Sequence, residues 1–233
     1  MPPASTKSAD LPTPEFDRCL ISPPLSETDT NTRRLRLGIM ASGSGSNFEA
    51  IAIAIHQKIL HASLEVVIYN NPDAKVASRA SRLGVSAQLL DHRTFESRES
   101  LDAAIIDVLQ AHQVEWVIMA GWMRRVTQQL ISAFPRRILN IHPSLLPSFP
   151  GVRAVEQALK ANVKITGCSV HFVELVVDSG PIVMQAAVPV LPDDTVETLQ
   201  ARIQVQEHRI FPQAIALAAS QSLNSKSNKT LPQ

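Results

Sequence analysis

Two short stretches of the chain hold the residue types of oxyanion chemistry. Asn140-Ile141-His142-Pro143-Ser144-Leu145-Leu146-Pro147 carries an amide and an imidazole two residues apart, and Asp178-Ser179-Gly180-Pro181 adds a carboxylate. Together these groups form a complete set for stabilising and protonating an oxyanion. The apolar run Arg137-Ile138-Leu139 leads straight into Asn140, which predicts that Asn140 and His142 sit at the end of a strand. Residues two apart on a strand point to the same face, so amide and imidazole can aim at one substrate atom. Pro143 has no N–H to donate and stops the strand just past His142. An open α/β sheet places its ligand crevice at such strand ends.

A second feature is the Gly/Ser loop Ala41-Ser42-Gly43-Ser44-Gly45-Ser46-Asn47. Glycines let the backbone approach a ligand closely, and the helix expected to follow offers free N–H groups and a positive dipole end. That combination suits a phosphate. The loop matches neither the Walker pattern nor GxGxxG, and taken alone it reads equally well as a flexible strand-to-helix turn.

The elements that must position these groups alternate along the chain. Leu35–Met40, Leu64–Tyr69, Val85–Leu90, Val114–Met119 and the run ending at His142 read as strands. Between them lie helix-like stretches at Asn47–Leu60, Ala74–Leu83, Phe95–His112 and Thr127–Phe134, with Gly84 as a stop signal for the second. Strands alternating with helices imply a parallel sheet with right-handed crossovers. The texture changes after Gly151. A helix through about Lys160 precedes two long β-rich runs, Ile165–Val177 and Ile182–Val190, which read as an antiparallel pair joined at Asp178–Pro181. In the first run Cys168, Val170, Phe172 and Val176 alternate with Ser169, His171 and Val173, a period-two pattern that reads His171 as polar core packing. Asp194, with Glu197 three residues on, resembles an N-cap for a last helix, which Pro212 should interrupt or kink. The fold class is therefore α/β, a mostly parallel open sheet with an antiparallel C-terminal strand pair.

Composition bounds the function classes. The chain has 233 residues, 45% hydrophobic and 18% charged, with a formal net charge of +1; that suits one sizeable core and gives no basic block for nucleic acid or an anionic membrane surface. No apolar run approaches the length of a membrane span. Cys19 and Cys168 have no metal-like or redox-like spacing, so no metal is expected and a reducing cytoplasm is the simplest compartment. Residues 1–34 scatter six prolines among polar residues, and are expected to form a disordered extension ahead of one domain over 35–219. A flexible tail is expected over 220–233. Oligomeric state and protein partners are not legible from the pattern.

Five stretches, taken together, carry a resemblance to a known family. They are Ser42-Gly43-Ser44-Gly45-Ser46-Asn47, Ala120-Gly121-Trp122-Met123-Arg124, Asn140 through Gly151, Ser169-Val170-His171-Phe172-Val173, and Gln206-Glu207-His208. From about Leu35 to Ala218 the chain resembles the phosphoribosylglycinamide formyltransferases, folate-dependent enzymes of purine biosynthesis with a Rossmann-like formyltransferase fold. Methionyl-tRNA formyltransferases are similar in their N-terminal part but carry a further domain, and formyltetrahydrofolate deformylases usually show a second histidine where Pro143 stands. The resemblance implies that the amine of glycinamide ribonucleotide attacks the formyl carbon of 10-formyltetrahydrofolate, with no metal required. Asn140 and His142 would stabilise the oxyanion, and Asp178 would orient the imidazole and favour its protonated form. Gly45, Ser46 and Asn47 match the loop that holds the ribonucleotide phosphate, and Glu207 matches the acidic residue on the glycinamide portion. Arg98, Met123, Arg124, Arg125 and Val126 match folate-contacting positions along with Asn140, and Arg98 suits the folate's carboxylate end. Glu174-Leu175-Val176-Val177 departs from the acidic residues often found there, as do Arg125 and Val126 from the usual aliphatic ones. A hydrolase that releases formate to water and a silent folate- or nucleotide-binding module are the competing readings. The phosphate loop and Glu207 weigh against the first, and the intact Asn140, His142 and Asp178 against the second. His56, His61, His92 and His112 are read as helix or loop surface residues.

Overall fold

The computed structural model describes residues 20–24 and 33–227. Apolar runs bounded by glycine, proline and polar loops become one eight-stranded sheet. Its strands are β1 (Ile21–Ser22), β2 (Leu35–Ala41), β3 (Ala62–Tyr69), β4 (Ala87–Leu89), β5 (Trp116–Met119), β6 (Ile138–His142), β7 (Ile165–Phe172) and β8 (Ile182–Pro189). The order across the sheet is β1-β8-β7-β6-β5-β2-β3-β4. Pairings from β4 through β6 are parallel, and those of β6 with β7, β7 with β8 and β8 with β1 are antiparallel. The chain leaves β2 toward β3 on one side and returns to β5 on the other. The C-terminal ends of β2 and β5 therefore flank the switch point at which such sheets bind ligands.

The helices are α1 (Ser46–His56), α2 (Val76–Arg82), α3 (Arg98–Ala111), α4 (Gln128–Ala133), α5 (Ala154–Lys160) and α6 (Val196–Ser227). Strand alternation divides the core. Leu37, Ile39, Trp116, Ile118, Leu139 and Ile141 join one cluster with residues of α1 and α6, whereas Met40, Val117, Met119 and Ile138 join a second with residues of α3 and α4. By the same alternation Asn140 and His142 share the face of Ile138. Close packing of α3 explains Gly38 in β2, since a Cβ there would stand 2.5 Å from Leu109 Cδ2.

Several boundaries differ from the pattern-based reading. The run Ile165–Val177 is a strand only to Phe172, whose N–H donates to the Pro181 carbonyl at 2.9 Å, leaving 173–181 as a connection. Thr166 through Phe172 are all buried, so alternation along that strand reports no solvent face. The last helix begins at Val196, and the reciprocal bonds at its start are made by Thr195 and Thr198. Asp194 instead accepts from Leu191 N–H at 2.7 Å and from Arg202 at 2.7 and 2.8 Å. Pro212 lies within α6 without ending it, and that helix continues to Ser227, past the expected boundary at 219. Within the expected N-terminal extension, Ile21 and Ser22 pair with Ala186 and Gln185 and cover an otherwise open strand edge. The rest of that expectation, residues 1–19 and 25–32, and the end of the tail at 228–233 lie outside the described residues.

Candidate active site

The ends of β2, β5 and β6 open into a cavity of about 810 Å³, a size that suits a small organic ligand. Five segments wall it: the Gly/Ser loop at 42–47, the β5–α4 connection through Val126, the end of β6, the turn into α5 at 151–156, and the connection from Val173 to Asp178. Val196, Gln200, Gln204 and Glu207 complete it from one face of α6. Of the residues singled out from sequence, Gly45, Ser46, Asn47, Met123, Arg124, Arg125, Val126, Asn140, His142, Asp178 and Glu207 all line this space. Arg98 does not. It is the exposed first residue of α3, outside the cavity.

At the end of β6 two imidazoles and a backbone N–H gather around one carboxylate. Asp178 and His142 have side chains 8% and 7% exposed, with Asp178 Oδ2 3.4 Å from His142 Nδ1. Its Oδ1 lies 3.6 Å from His171 Nε2, and Oδ2 accepts the Gly151 N–H at 2.7 Å. Burial pushes the Asp178 carboxyl up, yet contact with the His171 ring, the Gly151 N–H and the charge of His142 outweigh it and hold the group below its ordinary value. Asp178 adopts φ 54, a left-handed conformation that Asp and Asn tolerate best among residues with a side chain. Gly180 follows because a Cβ there would run into the Phe172 carbonyl.

Both neighbours of the His142 ring are acceptors. Nε2 donates to the Phe149 carbonyl oxygen at 2.9 Å, and Nδ1 faces the Asp178 carboxylate at 3.4 Å. The sequence pattern holds no signal for the Phe149 carbonyl as the anchor of this ring. His171 is buried, in keeping with polar core packing, and it also lines the cavity wall. Its Nδ1 meets the Phe172 carbonyl at 2.8 Å and Nε2 meets Asn140 Nδ2 at 3.1 Å. A carbonyl only accepts, so Nδ1 carries the proton, and Nε2 is shared between the Asn140 side chain and the Asp178 carboxylate. The antiparallel register that sets Asn140 opposite His171 is not visible in the sequence pattern.

At the other end of the cavity Gly45 precedes α1 with φ 74. A Cβ at Gly45 would lie 2.6 Å from Val76 Cγ2 and 3.0 Å from Val76 Cα, so both conformation and space require glycine. The first-turn N–H groups of α1 have no partners within the helix. Ser46 Oγ accepts from Gln204 Nε2 at 2.9 Å, and Asn47 Nδ2 donates to Glu207 Oε2 at 2.9 Å. Glu207 is buried, 5% exposed. Burial pushes its carboxyl up, offset in part by the Asn47 amide. Asn47 Oδ1 is buried without a hydrogen-bond partner. Leu175 and Val177 line the mouth, 60% and 40% exposed, beside Glu174. Among the described residues no group of three or more His, Cys, Asp or Glu could hold a metal ion, and no helix is long and apolar enough to cross a membrane.

A family profile described as formyl transferase matches residues 35–215, which takes in every wall of this cavity, and the chain therefore belongs to the formyl transferase family. It is similar to the phosphoribosylglycinamide formyltransferase of Bacillus subtilis (strain 168), 39% identical over 180 residues that cover 77% of this chain and 92% of the relative. It is also 40% identical over 189 residues to the trifunctional purine biosynthetic protein adenosine-3 of Gallus gallus. That match covers 81% of this chain and 19% of the relative, so the chain spans about a fifth of the longer protein's length. Among solved structures, glycinamide ribonucleotide transformylase 1 from Symbiobacterium toebii superposes with a TM-score of 0.80 at 48% identity, covering 82% of this chain and 90% of that one. Within the family the chain stands with the phosphoribosylglycinamide formyltransferases, as an enzyme of one-carbon group transfer.

Proposed function

We propose that the chain transfers the formyl group of 10-formyltetrahydrofolate to the amine of glycinamide ribonucleotide, in the cytoplasm. The observation that carries this reading is the Asn140–His142–Asp178 group at the end of β6, set in one cavity with a phosphate-type loop at one end. The unprotonated amine attacks the formyl carbon and the carbonyl π pair moves to oxygen, giving a tetrahedral oxyanion. The Asn140 amide and the protonated His142, whose Nε2–H leaves the Phe149 carbonyl to donate, meet that charge, which donors in a site sheltered from water stabilise by several kcal/mol. The ammonium proton of the intermediate passes, through His142 and Asp178 or a water, to the folate nitrogen as the carbon–nitrogen bond breaks. The products are formylglycinamide ribonucleotide and tetrahydrofolate. The 3.4 Å between His142 Nδ1 and Asp178 is long for a hydrogen bond, as catalytic contacts often are before substrate arrives.

Gly45, Ser46 and Asn47 take the ribonucleotide phosphate, with Glu207 accepting from the glycinamide nitrogen. Met123, Arg124, Arg125 and Val126 hold the folate, with Asn140 at its reacting end. Arg98, outside the cavity, meets only the part of the folate that projects from it, its glutamate carboxylate end. Residues 35–219 form the transferase domain in this reading. Following deformylation of 10-formyltetrahydrofolate with and without glycinamide ribonucleotide, and weighing the product by mass spectrometry, tests the proposal. Turnover that depends on the ribonucleotide is the expected result. Turnover without it would identify a hydrolase, and folate binding with no turnover a binding module.

A further inference from the structure

Two walls of the cavity are tied together by one side chain outside the assigned groups. Strands β2 and β5 pair as far as Met40 and Met119, and Ala120 N–H donates to the Met40 carbonyl at 2.8 Å. Beyond that point the strands part into separate loops. Ser42 makes the next two bonds across the gap: its N–H donates to the Gly121 carbonyl at 3.0 Å and its Oγ accepts the Met123 N–H at 2.9 Å. The Gly/Ser loop runs on from Ser42, with the Gly43 carbonyl accepting the Val76 N–H at 3.2 Å and the Ser44 carbonyl accepting Arg79 Nε at 2.8 Å. The opposite loop runs on from Met123 to Thr127, whose N–H donates to buried Asp102 at 2.5 Å. That second loop is therefore pinned at two places, Asp102 at its far end and Ser42 at the end facing the Gly/Ser loop.

We infer that Ser42 is a positioning residue that couples the two substrate sites, so that filling one favours filling the other. This rests on the assignment of the ribonucleotide to Gly45–Asn47 and the folate to Met123–Val126. A phosphate that orders the Gly/Ser loop also fixes the Ser42 hydroxyl, which holds the Met123 N–H and with it the folate wall. Linkage makes the effect reciprocal, and a coupling of this kind is typically about 5-fold or more in affinity.

The test is calorimetric titration of glycinamide ribonucleotide with and without saturating tetrahydrofolate, on wild type, Ser42→Ala and Ser42→Thr. Wild type should bind the ribonucleotide about 5-fold or more tightly with folate present; the ratio should fall to about 1 in Ser42→Ala and return in Ser42→Thr. A ratio unchanged in Ser42→Ala overturns the inference while leaving the transferase reading intact. A wild type without ribonucleotide-dependent turnover overturns both. Wild-type hydrogen exchange supplies a measurement that needs no variant. Ribonucleotide alone should slow exchange at the Met123 N–H, and an unchanged rate there refutes the coupling.

Discussion

Replacing Asp178 by Asn tests the electrostatic core of the site with the least change in shape. Asn tolerates the φ of 54 found there, and its side-chain oxygen can still accept the Gly151 N–H that now bonds Asp178 at 2.7 Å. What disappears is a negative charge 3.4 Å from His142 Nδ1. Unit charges about 4 Å apart attract by ~4 kcal/mol at an effective dielectric of about 20. Taking roughly half of that, for relaxation and residual water, gives ~2 to 3 kcal/mol lost from the state in which His142 is charged. At about 1.4 kcal/mol per tenfold, kcat should fall roughly 30- to 140-fold. The KM for the ribonucleotide should move little, because its phosphate site lies on the far wall. Steady-state kinetics with both substrates, with circular dichroism to establish folding, measures this. A folded variant with kcat within about threefold of wild type would refute the charge argument. The stability of the same pair has a defined pH dependence. The Asp178 carboxyl is held below its ordinary 3.8, so its stabilising contribution is present above that value and lost as pH falls through the folded-state value. The advantage of wild type over Asp178→Asn in thermal melts should shrink on acidification below about pH 4.

Glu207→Gln should separate stability from function. A carboxyl raised by burial makes the folded protein bind more protons than the unfolded chain, so wild type loses stability as pH rises above the ordinary carboxylate value. The variant should melt higher than wild type at neutral pH and show a raised KM for the ribonucleotide; equal melting temperatures at pH 4 and 7 for the two proteins would contradict the burial argument. Gly45→Ala places an L-residue at φ 74 with its Cβ 2.6 Å from Val76 Cγ2. A loss of about 2 kcal/mol in denaturant unfolding is expected, together with weaker ribonucleotide binding by calorimetry. Asp194→Ala removes a side chain 3% exposed that pairs with Arg202 and leaves that guanidinium bonded to the Pro189 carbonyl without its counter-charge. About 1 kcal/mol should be lost, read as a melting temperature lower by roughly 2 to 4 °C in a chain of this size.

The departures from the pattern-based reading share a cause. Ile165–Val177 is apolar enough to read as one strand, but burial on both faces removes the alternation that would have marked its end. The strand ends at Phe172, and the chain returns so close to the Phe172 carbonyl at Gly180 that no Cβ would fit there. Asp194 has the residue type of an N-cap, yet Arg202 claims it two turns along the helix. Arg98 has the right charge for a folate carboxylate, but the fold keeps it outside the cavity at the start of α3.

Local geometry is legible in the order of residues alone. Strand periodicity sets Asn140 and His142 on one face, Pro143 ends that strand, and the Gly/Ser loop must turn into a helix. The alternation of elements likewise dictates a mostly parallel sheet and so a crevice at its strand ends. Contacts between separate segments exist only once the chain has packed. Asp178 reaches His142 because β7 pairs antiparallel with β6, and that same register sets His171 opposite Asn140. Glu207 reaches Asn47 across 160 residues of chain because α6 packs its apolar face onto the sheet beside α1. Periodicity states which face a residue takes; which distant residue shares that face is settled by the packing that buries both.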